Sequence, residues 1–176
     1  MKKRLASLIM AVVIFVSFAA AGAVTVSAET AESQLKTSEA CIQMLKEFEG
    51  FNEKPYWDYA QYTVGYGSRC PDEMLDYYMA YGIPEAEAEA LLYNSLNKYE
   101  EALHTKLIEK YGLELTQNQF DALILFSYNC GSGWLYKEQD NLRNAIVSNA
   151  EPDVLVDLFA RWCNAGGQIL KPLVRR

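Results

Sequence analysis

The sequence predicts an α+β domain in which a small β-hairpin lobe is joined by a long helix to a helical lobe. Three observations predict it. Apolar residues follow helical spacing before and after a short segment of period two, residues 51–67. A long helical pattern runs from Pro84 to Tyr111. The clearest helix start, Thr116-Gln117-Asn118-Gln119, then opens a block of further helical patterns.

The opening run, residues 1–28, is unlike everything after it and reads as a secretory signal. Lys2, Lys3 and Arg4 form a basic start, an uncharged stretch follows from Leu5, and Val26-Ser27-Ala28 puts small residues at the cleavage position. The uncharged stretch is also long enough for a retained membrane anchor, but the A-x-A-like site favours cleavage after Ala28. Of 176 residues, 148 then remain: one domain, able to bury a core without metals or other staples. Export predicts a secreted, extracellular or wall-located protein with no membrane contact after cleavage, expected to act as a monomer.

Removing residues 1–28 takes away three basic and no acidic side chains, so the formal charge moves from -7 to -10. That excludes an ordinary nucleic-acid binder, which needs a basic stripe; the chain offers only short clusters such as Arg175-Arg176. Cationic attraction to bacteria is excluded as a targeting device for the same reason.

Four cysteines remain after cleavage, Cys41, Cys70, Cys130 and Cys163. In an oxidising compartment all four are disulfide candidates, three pairings are open, and at least one bond is expected. There is no C-x-x-C, and His104 is the single histidine. Neither a zinc site nor a Cys–His nucleophile is therefore expected, and no cofactor.

Residues 29–36 are polar and patternless, which suits a flexible lead, so the domain is drawn as 37–176. Ser38 can cap a helix with apolar positions Cys41, Met44, Leu45 and Phe48, and Gly50 ends it. On that stripe Cys41 is as readily a plain core residue as a bonded one. Phe51 to Gly67 reads as a hairpin around the polar turn Asp58-Tyr59-Ala60-Gln61. A loop through Pro71 and a short segment ending at Gly82 lead to the long helix, with Pro84 at its first position, Leu92, Leu96, Tyr99, Leu103 and Leu107 on one face, and Gly112 as its stop. In the next helix Leu115 and Phe120 occupy the staple positions, Phe120, Leu123, Ile124 and Ser127-Tyr128 face a core, and Gly131 and Gly133 close it. Shorter helical patterns follow at 141–148 and 152–162. A cleft between the lobes is the default ligand site.

Glycoside hydrolysis needs a protonated carboxyl to donate to the leaving oxygen and an ionised one to activate water or attack the sugar. Glu49, between Phe48 and Gly50-Phe51, is placed where desolvation would keep it protonated. Asp58, at a polar turn, is placed to stay ionised. With 23 acidic residues in the chain, that pair alone carries little weight, and solvated surface charge is its ordinary reading.

The surrounding strings change the balance. Phe48-Glu49-Gly50, Pro55-Tyr56-Trp57-Asp58 and Thr63-Val64-Gly65-Tyr66-Gly67 together resemble the catalytic signature of phage-type lysozymes, glycoside hydrolase family 24. In that family a Glu, eight residues, an Asp or Cys, usually five residues and a Thr form the site. Residues 50–57 match the first spacing; residues 59–62 leave the second one short, a tightened turn. The resemblance continues in residues 115–123, 127–131, 161–167 and 173–176, covering essentially the whole mature domain.

The resemblance implies a lysozyme-like fold and cleavage of the β-1,4 bond after N-acetylmuramic acid in peptidoglycan, with inversion. Glu49 would be the general acid, Asp58 would activate water and Thr63 would hold it, with the carboxyls roughly 6.5–9.5 Å apart. Tyr66 and Gly67 would line one wall of the cleft and Asn129 and Arg161 the other, and Arg175 would pair with Glu49 at rest. Asn129 as a helix-end cap and Arg161-Trp162 as cation–aromatic packing are the structural alternatives. Cys130 and Cys163 replace apolar residues of the family pattern beside the cleft, where a disulfide would restrain the lobes. Ser68 stands where the family often has His. Relatives usually continue past the position of Arg176 into a further helix, so a truncated C-terminal end is also expected. A catalytically silent peptidoglycan-binding module, a lytic transglycosylase and a chitin-cleaving relative are the competing readings.

Overall fold

Ser38 starts the first helix, α1 (Glu39–Glu49), by accepting a hydrogen bond from the Cys41 amide at 3.1 Å, and Gly50 ends it by donating back to the Lys46 carbonyl. A cap of this kind stabilises a helix by about 1 kcal/mol. The buried stripe of α1 is Cys41, Ile42, Leu45 and Glu49, with Met44 and Phe48 only half-buried. The stripe is thus rotated from the expected one, and the last turn sends a carboxyl inward where the sequence suggests a phenyl ring.

This computed structural model describes residues 34–58, 61–137 and 140–162, with the backbone of 164–165 and 168–169. The signal and its cleavage site, the hairpin residues 59 and 60, Cys163 and Arg175 lie outside the described residues.

After α1 come β1 (Asn52–Asp58), β2 (Gln61–Gly65) and β3 (Ser68–Arg69), an antiparallel sheet in the order β1-β2-β3. The third strand was not expected; two residues are too few for a period to show. Asp58 pairs with Gln61, so only two residues connect the strands, which accounts for the short spacing noted above. Asp58 accordingly closes a strand and is half-buried, not set out on the turn.

A 3₁₀ turn (Asp72–Met74) leads into α2 (Leu75–Tyr81), which packs on β1. The long helix follows: α3 (Glu85–Leu103) runs on through a π-helical stretch (His104–Ile108) and a last turn (Glu109–Tyr111) to Gly112 in the left-handed conformation. Pro84 caps α3 from just outside its first turn. Gly65, at φ +63, lets the sheet lie on α3, because a Cβ there would meet the Ala88 Cβ at 2.6 Å. That contact joins the hairpin lobe to the long helix.

The expected capping box is present at α4 (Gln117–Cys130): Thr116 Oγ1 accepts from the Gln119 amide, and the Gln119 side chain accepts from the Thr116 amide. The helical lobe is completed by α5 (Gly133–Tyr136), α6 (Asn141–Val147) and α7 (Pro152–Arg161), with a short pair β4 (Asn164–Ala165) and β5 (Gln168–Ile169) beyond them. Its core is aromatic. Phe126 meets Phe159 edge-on at 4.9 Å and Trp134 at 5.8 Å, while the Trp134 indole N–H is satisfied by Ser127 Oγ.

Leu35 and Lys36, assigned by the sequence to the lead, are tied onto the domain. The Leu35 carbonyl accepts from His104 Nε2 at 2.7 Å, the Lys36 ammonium pairs with Glu100, and the Lys36 carbonyl accepts from Gln117. Burial by itself would raise the Glu100 carboxyl, but hydrogen bonds from Thr37 and Lys36 outweigh it and hold Glu100 below the usual carboxylate range. Asp121 receives both the amide and hydroxyl of Ser38. These buried acids join the start of the domain to α3 and α4. No described helix is long and apolar enough to cross a membrane.

Two of the four disulfide candidates are corrected here. Cys41 and Cys70 are buried free thiols, Cys41 with Sγ directed at the Asp121 carbonyl and Cys70 at the Pro71 carbonyl. Burial, and then nearby carboxylates, push both thiols up. Cys130 is half-buried at the end of α4, and any pairing with Cys163 lies outside the described residues.

Candidate active site

Glu49 is at the last position of α1 and only 4% exposed. Its carboxyl lies against the turn between β2 and β3: a Cβ on Gly67 would stand 2.9 Å from Glu49 Oε2 and 3.4 Å from Cδ. Gly67 has φ +88, a conformation that side-chain-bearing residues rarely adopt. Two separate constraints therefore require glycine beside this carboxyl.

The sheet register brings Asp58 and Thr63 to one face. Tyr56 pairs with Thr63, Trp57 with Tyr62 and Asp58 with Gln61. By alternation, Tyr56, Asp58, Gln61 and Thr63 share a face, and Trp57 and Tyr62 occupy the other, their rings edge-on at 5.2 Å. Asp58 and Thr63 are diagonal neighbours, roughly 7–8 Å apart in an ordinary sheet. Thr63 is fully buried, and its hydroxyl makes no hydrogen bond to any described residue. Buried hydroxyls are nearly always partnered, and an orphan on the same face as Asp58 is a place where a ligand or water oxygen can bind.

Tyr66 is buried in the turn itself. Its hydroxyl donates to Glu85 at 2.6 Å, Phe51 lies 5.6 Å from its ring, and Lys46, ion-paired with Glu89, sits 5.3 Å over it. The hydrogen bond to Glu85, together with burial, pushes the Tyr66 hydroxyl up to about 12. Its backbone carbonyl points the other way and accepts from the Tyr128 hydroxyl of α4 at 2.8 Å.

The residues expected on the opposite wall are less concentrated. Asn129 is half-buried near the end of α4, where its amide donates one turn back to the Leu125 carbonyl. Arg161 is exposed at the end of α7. Lys137 sits 5.9 Å over the neighbouring Trp162 ring. A tyrosine on the core face of an amphipathic helix reads as packing in the sequence, and the bond from Tyr128 to the Tyr66 carbonyl shows only in the structure.

A cavity of about 460 Å³ opens elsewhere, on the helical lobe, against Leu113, Leu115, Ile146 and Leu155. None of the candidate residues lines it. Among the described residues no group of three His, Cys, Asp or Glu side chains is arranged to hold a metal ion.

A buried glutamate ending a helix, a three-stranded sheet behind it and a long helix leading to a helical lobe define a lysozyme-like α+β domain. The chain belongs to the phage lysozyme family, whose sequence profile matches residues 46–176. It is 32% identical over 145 residues to an endolysin of Bacillus phage B103, an alignment covering 81% of this chain and 51% of that protein. It is 30% identical over 153 residues to an endolysin of Lactococcus phage c2, of which 57% is covered. The chain thus spans about half the length of these relatives. Among solved structures it is similar to the muramidase domain of SpmX from Asticaccaulis excentricus, with 25% identity and a TM-score of 0.55 over 80% of this chain and 91% of that one. An endolysin from Escherichia coli O157:H7 phage FAHEc1, 22% identical with a TM-score of 0.60 over 77% and 83% of the two chains, shares the fold.

Proposed function

We propose that this chain is a secreted muramidase that hydrolyses the β-1,4 bond between N-acetylmuramic acid and N-acetylglucosamine in peptidoglycan, with inversion. The observation that carries the reading is the burial of the Glu49 carboxyl against Gly67 in a chain of the phage lysozyme family. A carboxyl held at the end of α1 and shielded from water suits a general acid, which hands its proton to the departing glycosidic oxygen. Asp58, half-buried at the end of β1, acts as the base. The water it activates sits between it and the Thr63 hydroxyl, on the face the two share. Inversion follows from that arrangement, since water, not the carboxylate, attacks the anomeric carbon. Tyr66, Gly67, Asn129 and Arg161 contact the glycan.

Mass spectrometry of the products tests the reaction. Digestion of purified peptidoglycan in ¹⁸O water should yield reducing-end muramic acid carrying the label. Anhydro-muropeptides would replace hydrolysis by a transglycosylase mechanism, and release from chitin in preference to peptidoglycan would replace the substrate.

Thr63 has a signature of its own. Thr63→Val removes a buried hydroxyl that has no described partner while keeping the shape, so stability should hold or rise. Hydrolysis should fall by roughly tenfold or more, the weight of about 1.4 kcal/mol in the barrier. Thermal melts and initial rates on the same preparation check this, and a variant that loses stability but keeps its rate would remove Thr63 from the site.

A further inference from the structure

We propose that Tyr128 is a positioning residue, whose hydroxyl reaches from the helical lobe to hold the Tyr66–Gly67 turn against Glu49. The inference rests on the reading of Glu49 as the general acid. Tyr128 stands near the end of α4, with its ring edge-on to Tyr99 of α3 at 6.1 Å and 71°. From there its hydroxyl donates to the Tyr66 carbonyl at 2.8 Å and lies 3.5 Å from Ser68 Oγ. One hydroxyl therefore spans both flanks of Gly67.

Gly67 needs such a constraint. It is the residue in contact with the Glu49 carboxyl, and it is also the residue type with the greatest backbone freedom. The bond from the Tyr66 hydroxyl to Glu85 acts at the far end of a long side chain and not on the peptide between residues 66 and 67. The Tyr128 bond acts on that peptide directly. A catalytic group displaced by about 1 Å can lose 10²-fold in rate, so a hydroxyl that fixes the turn beside Glu49 can govern the chemical step.

The test is Tyr128→Phe, which keeps the ring between α3 and α4 and deletes the hydroxyl. With a soluble peptidoglycan oligosaccharide as substrate, kcat should fall by about tenfold with KM within about twofold. Hydrogen exchange in a peptide spanning residues 64–70 should quicken in the same variant. A kcat equal to wild type well below Tm overturns the proposal, whatever happens to the melting temperature, and so does a change confined to KM. A Phe variant that fails to fold overturns it too, because a positioning hydroxyl is not needed for folding. If the wild type does not cleave the oligosaccharide, the muramidase reading fails instead, and hydrogen exchange still decides whether the tether holds the turn.

Discussion

Glu49→Gln is expected to lower hydrolysis of peptidoglycan by about 10²–10⁴-fold, the usual weight of a general acid, while leaving the fold intact. The amide is nearly isosteric with the carboxyl, so packing at the end of α1 and against Gly67 is retained. What disappears is the proton that the leaving oxygen must receive. The readout is therefore the rate, compared at a temperature where both proteins are folded. Turbidity loss of purified walls, read beside thermal melts of both proteins, checks it. If wild type and variant clear walls at similar rates, Glu49 is not the acid and the proposed mechanism is lost.

Gly67→Ala should be nearly as damaging by a different route. The added methyl would lie 2.9 Å from Glu49 Oε2 on a backbone at φ +88, so steric overlap and backbone strain act together. Strain of this kind costs about 1–3 kcal/mol, enough to lower the melting temperature by several degrees in a domain of this size. The overlapping atom is the far end of the Glu49 side chain, so the methyl is accommodated by moving the carboxyl, and the acid itself is displaced. Gly65→Ala is the control: it meets the Ala88 Cβ at 2.6 Å, also at positive φ, but on α3 and away from the acid. Both variants should melt early, whereas only Gly67→Ala should lose kcat when assayed well below its Tm. Equal kcat in the two would mean that Gly67 serves the fold alone.

The legible parts of the fold were those built from neighbours in sequence. Ser38, the Thr116–Gln119 box and the stops at Gly50, Gly112 and Gly131 stand as expected because capping is settled within one helical turn. The hairpin was legible for the same reason. Less legible was α1, where Phe48 was assigned to the core stripe and Glu49 was found there with it only half-buried. Hydrophobicity ranks phenylalanine as the inward residue, and only the packing of the sheet on the helix end reverses that order. The cysteines show a similar limit: location in an oxidising compartment makes disulfides plausible, but a bond needs geometry, and Cys41 and Cys70 direct their thiols at the carbonyls of Asp121 and Pro71 instead.

By itself the sequence determined the order and type of the main elements, the family resemblance, and the placement of Glu49, Asp58 and Thr63 along one helix and one hairpin. Each follows from spacing over a few residues, where local geometry leaves little choice. Only the tertiary structure decided that the Glu49 carboxyl rests on Gly67, that Thr63 carries a buried hydroxyl facing the side of Asp58, and that Tyr128 ties down the turn between them. The Tyr128 bond joins residues 62 apart in the chain. No local rule relates positions so distant; they meet because two apolar surfaces, one on the sheet and one on the helices, are buried against the same long helix.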